Sequence, residues 1–305
     1  MKYNLITVLG PTAVGKTRLA AKLASYFNGE IISADSRQVY KYLDIGTGKD
    51  LSDYSVGNSK VNYYMIDLVE LPDEFNLFDF YKNFFIYYHH IKSKNKNPFL
   101  AGGTGLYLSS VIQNYDLKES TNDKEFIEEL KSKSDEELKT LLIKLQPHLH
   151  NKTDLESRER MIQAIIVANA DKPVENKIEI KSLNIGINPG REIVKSRIKE
   201  RLEKRLNEGM IQEVERLLDK NISPERLIRL GLEYKYITEF LIGKISYDKM
   251  QSELYKAICS FAKRQMTWFR KMERESVKIF WINEADFELA KEIIIKNYEF
   301  NSELS

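Results

Sequence analysis

The sequence predicts an α/β fold in which a parallel sheet flanked by helices is interrupted by a mainly helical insertion domain. Three observations carry that prediction. The apolar run Leu5-Ile6-Thr7-Val8-Leu9 leads into a glycine-bounded turn, after which Leu19, Ala20, Leu23 and Ala24 recur at helical spacing. Two more short apolar runs, 29–34 and 98–101, end in residues suited to a ligand-facing turn, as strands of open α/β sheets do. From 118 to 170 strand signals stop and charged, helix-patterned segments take over. The expected divisions are 1–116 for the first part of the core, 117–190 for the insertion and 191–305 for the rest of the core.

The glycine-bounded turn is Gly10-Pro11-Thr12-Ala13-Val14-Gly15-Lys16-Thr17, which fits G-x-x-x-x-G-K-[ST] in the strand-to-helix setting that pattern requires. Its glycines let the backbone turn tightly and aim N–H groups at an anion, and the helix behind adds its positive end. Lys16 brings a full charge, and Thr17 offers a hydroxyl to a bound Mg²⁺. The sheet is therefore expected to be P-loop NTPase-like, the fold of many nucleotide-binding and ATP-binding proteins.

The second strand, Gly29 to Ala34, ends at Asp35. That carboxylate has three readings: an outer ligand of the metal, a general base, or a helix cap. Asp44-Ile45-Gly46-Thr47-Gly48-Lys49 reads either as a connection or as a loop that closes over a substrate. A short strand is expected at 63–67 and an aromatic-rich core helix from Phe75 to Ile91, with His89 and His90 as structural residues. The strand of Pro98 to Ala101 runs into Gly102-Gly103-Thr104-Gly105 rather than into the carboxylate common in ATP-hydrolysing relatives. Those glycines either admit a ligand to bare backbone or let a helix pack on the sheet.

Beyond Tyr115, helices are expected at 125–133, 135–146 and 157–170, and one strand at 181–187. A long helix starts at Arg191 and carries Arg197, Arg201 and Arg205 on one face. Helices at 213–218, 230–241 and 246–269, a strand at 277–281 and a helix at 284–297 complete the pattern.

Composition sets the frame. The chain has 305 residues, 42% hydrophobic and 30% charged, enough for a sizeable core. Cys259 is the sole cysteine, which excludes intrachain disulfides and cysteine zinc sites and fits a reducing compartment. No apolar run reaches membrane-spanning length, and a strand begins within four residues of Met1, so a cytoplasmic protein is expected. The net charge is +2, yet residues 191–278 hold 21 Lys and Arg against 14 Asp and Glu. Beside a phosphate site, that excess points to a polyanionic partner.

Residues 10–17, Asp35-Ser36-Arg37-Gln38, Gly46-Thr47-Gly48-Lys49, Gly102 to Tyr107 and Lys263-Arg264-Gln265-Met266-Thr267-Trp268-Phe269-Arg270 recur in an order that resembles the tRNA dimethylallyltransferases, also called tRNA isopentenyltransferases. The resemblance spans nearly the whole chain, and the last block is its most specific part. It implies transfer of a prenyl group from dimethylallyl diphosphate to the N6 amine of the adenosine 3′ of a tRNA anticodon. It also implies that the diphosphate sits on Gly10, Pro11, Thr12, Ala13, Val14, Gly15, Lys16 and Thr17 with Arg201, and that Mg²⁺ lies near Thr17. Asp35 would take the amine proton, and Lys16 and Thr104 would act on the departing diphosphate. The anticodon stem-loop would meet Asp35, Ser36, Arg37, Gln38, Thr104 and the stretch Glu159-Arg160-Met161-Ile162-Gln163, and Lys263, Arg264 and Arg270 would meet phosphates. A monomer is expected. The chain departs from the family pattern at Tyr63, Ile127, Gln163 and Glu233.

Other activities share parts of this pattern. An adenylate prenyltransferase acting on free nucleotide shares the loop and aspartate but needs neither the insertion nor the 263–270 block. A P-loop kinase or NTPase would turn over ATP, and the Gly-Gly-Thr strand end opposes it. An idle RNA-binding protein would not need Lys16, Thr17, Asp35 and Thr104 intact.

Overall fold

The computed structural model describes residues 3–119, 124–145, 155, 157–168, 172–174 and 177–298. Strand and helix alternate at first: β1 (Leu5–Leu9), α1 (Lys16–Tyr26), β2 (Gly29–Ala34), a 3-10 turn at Leu51–Tyr54, a hairpin of β3 (Ser55–Val56) and β4 (Ser59–Lys60), β5 (Tyr63–Tyr64), α2 (Leu77–Ser93), β6 (Asn97–Gly102) and α3 (Gly105–Ile112). Then come β7 (Lys118–Glu119), α4 (Lys124–Ser132), α5 (Asp135–Leu145), α6 (Arg158–Ala168) and β8 (Lys172–Pro173). The chain continues with β9 (Ser182–Ile187), α7 (Arg191–Asn207), α8 (Met210–Asp219), α9 (Pro224–Leu230), α10 (Leu232–Leu241), α11 (Tyr247–Arg274), β10 (Ile279–Ile282) and α12 (Phe287–Asn297).

Six strands form one sheet in the order β10-β9-β1-β6-β2-β5, with every pair parallel. All five residues of β1 are buried, as a central strand covered on both faces requires. The ladder sets Leu9 beside Gly102 and Gly186, and Ala34 beside Gly102. The carboxyl ends of β1, β2, β6 and β9 therefore meet at one edge, where a ligand site is expected. No helix among the described residues is long and apolar enough to cross a membrane.

The chain divides into two compact units at Asn114/Tyr115 and Ile178/Glu179. The smaller unit buries Leu130, Leu138, Leu142, Met161, Ile162, Ile165 and Ile166 in a core of its own, and β7 pairs antiparallel with β8. A boundary at 190 leaves β9 on the insertion's side. The structure puts that strand in the large sheet between β1 and β10.

The strand expected at 63–67 stops at Tyr64, because Met65 (φ 68°) and Asp67 (φ 56°) leave the extended region. Helix α9 was not anticipated, although its start is written in Ser223-Pro224: the serine accepts the Arg226 N–H and the proline takes a first-turn position. The expected helix ends at Gln146 and Ala170 lie outside the described residues.

At the opposite end of β2 from the glycines, Glu30 is fully buried and receives Lys96 (2.7 Å), Lys94 (3.2 Å), Asn62 (2.8 Å) and the Tyr64 hydroxyl (2.5 Å). Burial pushes its carboxyl up, but these donors outweigh it and hold the group down at about 2. A depressed carboxylate contributes stability that is complete above its ordinary value of 4.5 and fades as pH falls toward 2. Glu30→Gln is expected to lower unfolding free energy at neutral pH by about 1–3 kcal/mol. Urea titrations should also find that stability falls less steeply between pH 4.5 and 2 in the variant than in the parent.

Candidate active site

The phosphate loop sits between β1 and α1 at the glycine-rich sheet edge. Gly15 adopts φ 77°, a left-handed conformation that favours glycine, and Ala13 adopts φ 64° within the same turn. The N–H groups of residues 15–17 find no acceptor among the described residues, so they remain for an anion at the helix start. The Lys16 ammonium bends back to the Pro11 carbonyl at 2.6 Å. Burial in the pocket and repulsion from Arg201 lower its pKa to about 8, with Asp35 opposing that shift. Arg201 donates from Nη2 to the Thr12 hydroxyl at 2.5 Å and forms no ion pair among the described residues. Burial and neighbouring Arg205 lower its pKa to about 9. Two cations thus face the loop, each disfavoured by burial and by a neighbouring arginine, so a bound anion would favour both.

Opposite them lies Asp35. Its Oδ1 accepts the N–H groups of Arg37 (2.9 Å) and Gln38 (3.3 Å), the capping geometry, and Oδ2 has no hydrogen bond among the described residues. One oxygen holds the turn and the other is left for chemistry, so the cap and base readings are compatible. Thr104 ties β6 to the same turn: its hydroxyl accepts the Ser36 N–H at 3.0 Å and reaches the Ser36 hydroxyl at 3.4 Å. The Arg37 guanidinium is paired with buried Glu233 and lies 5.9 Å from the Phe261 ring centre. Burial works against the Glu233 charge, but Arg37 outweighs it and keeps the carboxyl below its ordinary range. Gln38 Nε2 donates to the Gly48 carbonyl at 3.0 Å.

The loop at 44–49 proves to be built rather than loose. Glu213 accepts the N–H groups of Asp44, Ile45 and Gly46 and the Tyr234 hydroxyl. The Lys49 ammonium turns inward to the Tyr40 carbonyl, Asp44 and Asp67, with its side chain only 1% exposed. Lys49 is therefore a structural clamp for this loop. The three arginines of α7 also part company. Arg197 pairs with Glu284 at 2.7 Å, Arg205 is buried beside Gly48 and Asp50, and Arg201 is the one of the three that hydrogen-bonds to the phosphate loop.

The glycines after β6 answer the question left open between ligand approach and packing. A Cβ at Gly103 would lie 2.4 Å from Gln265 Nε2, and one at Gly105 would lie 2.4 Å from Trp268. Both face α11 and let that helix close on the sheet, while Gly102 and Gly103 also line the cavity. Trp268 completes the seat with an Nε1–H bond to Ser109 Oγ at 2.5 Å, and Phe269 is buried core. A cavity of about 330 Å³ remains, walled by the phosphate loop, Asp35, Gln38, Asp50, Asp53 and Arg201.

A family model described as IPP transferase matches residues 38–272, most of the chain, and a model described as isopentenyl transferase matches residues 3–65. The chain belongs to the IPP transferase family. Among similar proteins, tRNA dimethylallyltransferase 1 of Azobacteroides pseudotrichonymphae is 48% identical over 92% of this chain and 94% of its own. The enzyme of that name from Parabacteroides distasonis is 47% identical over 92% of each. The crystal structure of a full-length tRNA isopentenylpyrophosphate transferase from Bacillus halodurans superposes with a TM-score of 0.67 at 28% identity, covering 97% of this chain and 95% of that one.

Within this family frame, the residues expected at the nucleic acid fall into distinct environments. Asp35 to Gln38 lie together at the cavity edge. Of the stretch on α6, Glu159 and Arg160 are exposed, whereas Met161 and Ile162 are buried in the smaller unit's core. Those two side chains hold the helix in place and present nothing outward. The Gln163 side chain lies outside the described residues. Lys263, Arg264 and Arg270 are exposed along α11. His89 and His90 pack against the rings of Tyr88 and Tyr64. The sequence gives Glu213 no role, and it marks Glu233 only as a departure from the family pattern and Gln265 only as a member of the 263–270 block, since each acts on a partner remote in sequence.

Proposed function

We propose that this chain transfers the dimethylallyl group of dimethylallyl diphosphate to the N6 amine of the adenosine 3′ of the anticodon in tRNA, giving N6-dimethylallyladenosine. One observation carries the reading: a single cavity sets an anion cradle, with Lys16 and Arg201, against a carboxylate with one oxygen unengaged. Diphosphate seated on the 10–17 loop brings the donor's first carbon toward Asp35. The N6 lone pair attacks that carbon, the carbon–oxygen bond breaks, and its electrons leave with the diphosphate. The N6 proton passes to Asp35 Oδ2. An adenine amine is a weak nucleophile, so drawing off its proton during attack lowers the barrier. Lys16, Arg201 and the loop N–H groups stabilise the charge gathering on the leaving group. Thr104 acts here through Ser36, fixing the turn that carries Asp35. The adenosine must leave the anticodon stack to reach the cavity.

The residues present fit Mg²⁺. Thr17, Asp50 and Asp53 supply hard oxygen donors around the loop, and burial with neighbouring Asp50 raises the Asp53 carboxyl against an opposing pull from Arg18. No group of three or more His, Cys, Asp or Glu disposed to hold a metal occurs among the described residues. Mg²⁺ commonly takes one or two protein ligands and completes its shell from phosphate oxygens and water. When bound, it would neutralise part of the diphosphate charge.

Incubation with donor and either unmodified tRNA, AMP or ATP alone tests the proposal. Mass analysis should find N6-dimethylallyladenosine in tRNA only. Prenylated AMP would favour the free-nucleotide reading, and ATP turnover without prenyl transfer would sink both. Arg201→Ala is expected to raise the donor KM about tenfold or more, with tRNA affinity unchanged. A fall in tRNA affinity alone would reassign this arginine to RNA phosphates.

A further inference from the structure

The 263–270 block contains a residue whose contacts point away from nucleic acid. Gln265 on α11 is 6% exposed, and its amide bridges two strand ends. Its Oε1 accepts the Thr12 N–H at 2.8 Å, and its Nε2 donates to the Gly103 carbonyl at 2.8 Å. Gly103 is bare at that point because a Cβ there would collide with Nε2. Thr12 is held twice, its N–H by Gln265 and its hydroxyl by Arg201. The first turn of the phosphate loop, 253 residues away in sequence, thus hangs on α11.

We infer that Gln265 is a positioning residue for diphosphate: it orders the phosphate loop and, through Thr12, sets Arg201 over it. The physical reason is satisfaction. Without the amide, a part-buried N–H at Thr12 and a buried carbonyl at Gly103 lose their partners, and the loop must move to satisfy them. Movement at Thr12 withdraws the hydroxyl that receives Arg201. Only an amide satisfies both ends. A carboxylate accepts from Thr12 but cannot donate to Gly103, and it brings negative charge to an anion site. A thioether does neither at similar length.

The identity of the anion rests on the proposed prenyl transfer, so the test uses inorganic pyrophosphate with Mg²⁺, measured by titration calorimetry, alongside steady-state prenylation of tRNA. Gln265→Met is expected to weaken pyrophosphate about tenfold and raise the donor KM in parallel, with the tRNA KM changed by less than about twofold. Gln265→Glu should weaken it further. Trp268→Phe, one turn along and packed on Gly105 rather than on the loop, should bind pyrophosphate as the parent does. The inference is overturned if Gln265→Met binds pyrophosphate normally. It is equally overturned if both Gln265→Met and Trp268→Phe lose pyrophosphate, tRNA affinity and melting temperature together, since that is general damage to α11. A parent protein that binds pyrophosphate yet prenylates no RNA sinks the proposed function and leaves the role of Gln265 standing. One that binds no pyrophosphate sinks both.

Discussion

Replacing Asp35 with asparagine is expected to lower the turnover of donor and tRNA about a thousandfold, the scale of losing a positioned general base. Donor affinity should stay within about twofold of the parent. The choice of asparagine follows from the geometry. Oδ1 of Asp35 already caps the turn through the Arg37 and Gln38 N–H groups, and an amide oxygen can keep those bonds. Only Oδ2, the proton acceptor, is converted into something that cannot accept a proton. Asp35→Ala, by contrast, removes both roles and should also loosen the turn. If the two variants lose turnover equally and both bind dimethylallyl diphosphate normally, proton removal is the dominant role. Loss of diphosphate affinity in the asparagine variant would instead assign Asp35 to the metal and break the proposed mechanism. A secondary effect has a defined sign. Asp35 supports the charge on Lys16, so its neutralisation lowers the Lys16 pKa further and weakens donor binding first at alkaline pH.

The chemistry-bearing ends of β1 and β2 were legible in the sequence because their signals are local. The phosphate loop needs a strand, two glycines, a lysine and a helix within about two dozen residues, and all are contiguous from Leu5 to Ala24. The strand-to-Asp35 and strand-to-Gly102 transitions are equally compact. What escaped was set by tertiary partners. Nothing near Glu213 announces that it gathers three N–H groups from residues 44–46, and nothing near Arg37 announces Glu233. Helical spacing put Arg197, Arg201 and Arg205 on one face correctly, yet their uses differ because Glu284, Thr12 and Asp50 come from separate parts of the chain. The burial of Met161 and Ile162 follows the same rule: periodicity marks an apolar face but not which neighbours cover it. The strand at 182–187 could be read as a strand, while its place beside β1 depends on a pairing that spans the insertion.

Lys16→Ala is expected to cut kcat/KM for dimethylallyl diphosphate about a hundredfold to a thousandfold, as for loss of a preorganised charge on a leaving group. The pH dependence identifies the residue. With its pKa lowered to about 8 by burial and by Arg201, Lys16 is cationic at neutrality and loses its charge as pH rises through 8. Bound diphosphate favours the cation, so the parent's kcat/KM for the donor should fall about tenfold per pH unit above that point. In Lys16→Ala that limb has no group to titrate, and the profile should stay flat through it. Salt cannot mimic this, because ionic screening lowers affinity at every pH without creating an inflection. A parent profile that is flat from neutrality to pH about 9 would mean that the Lys16 ammonium carries no share of donor binding. Its contact with the Pro11 carbonyl would then be structural, and the anion grip would fall to Arg201 and the loop N–H groups.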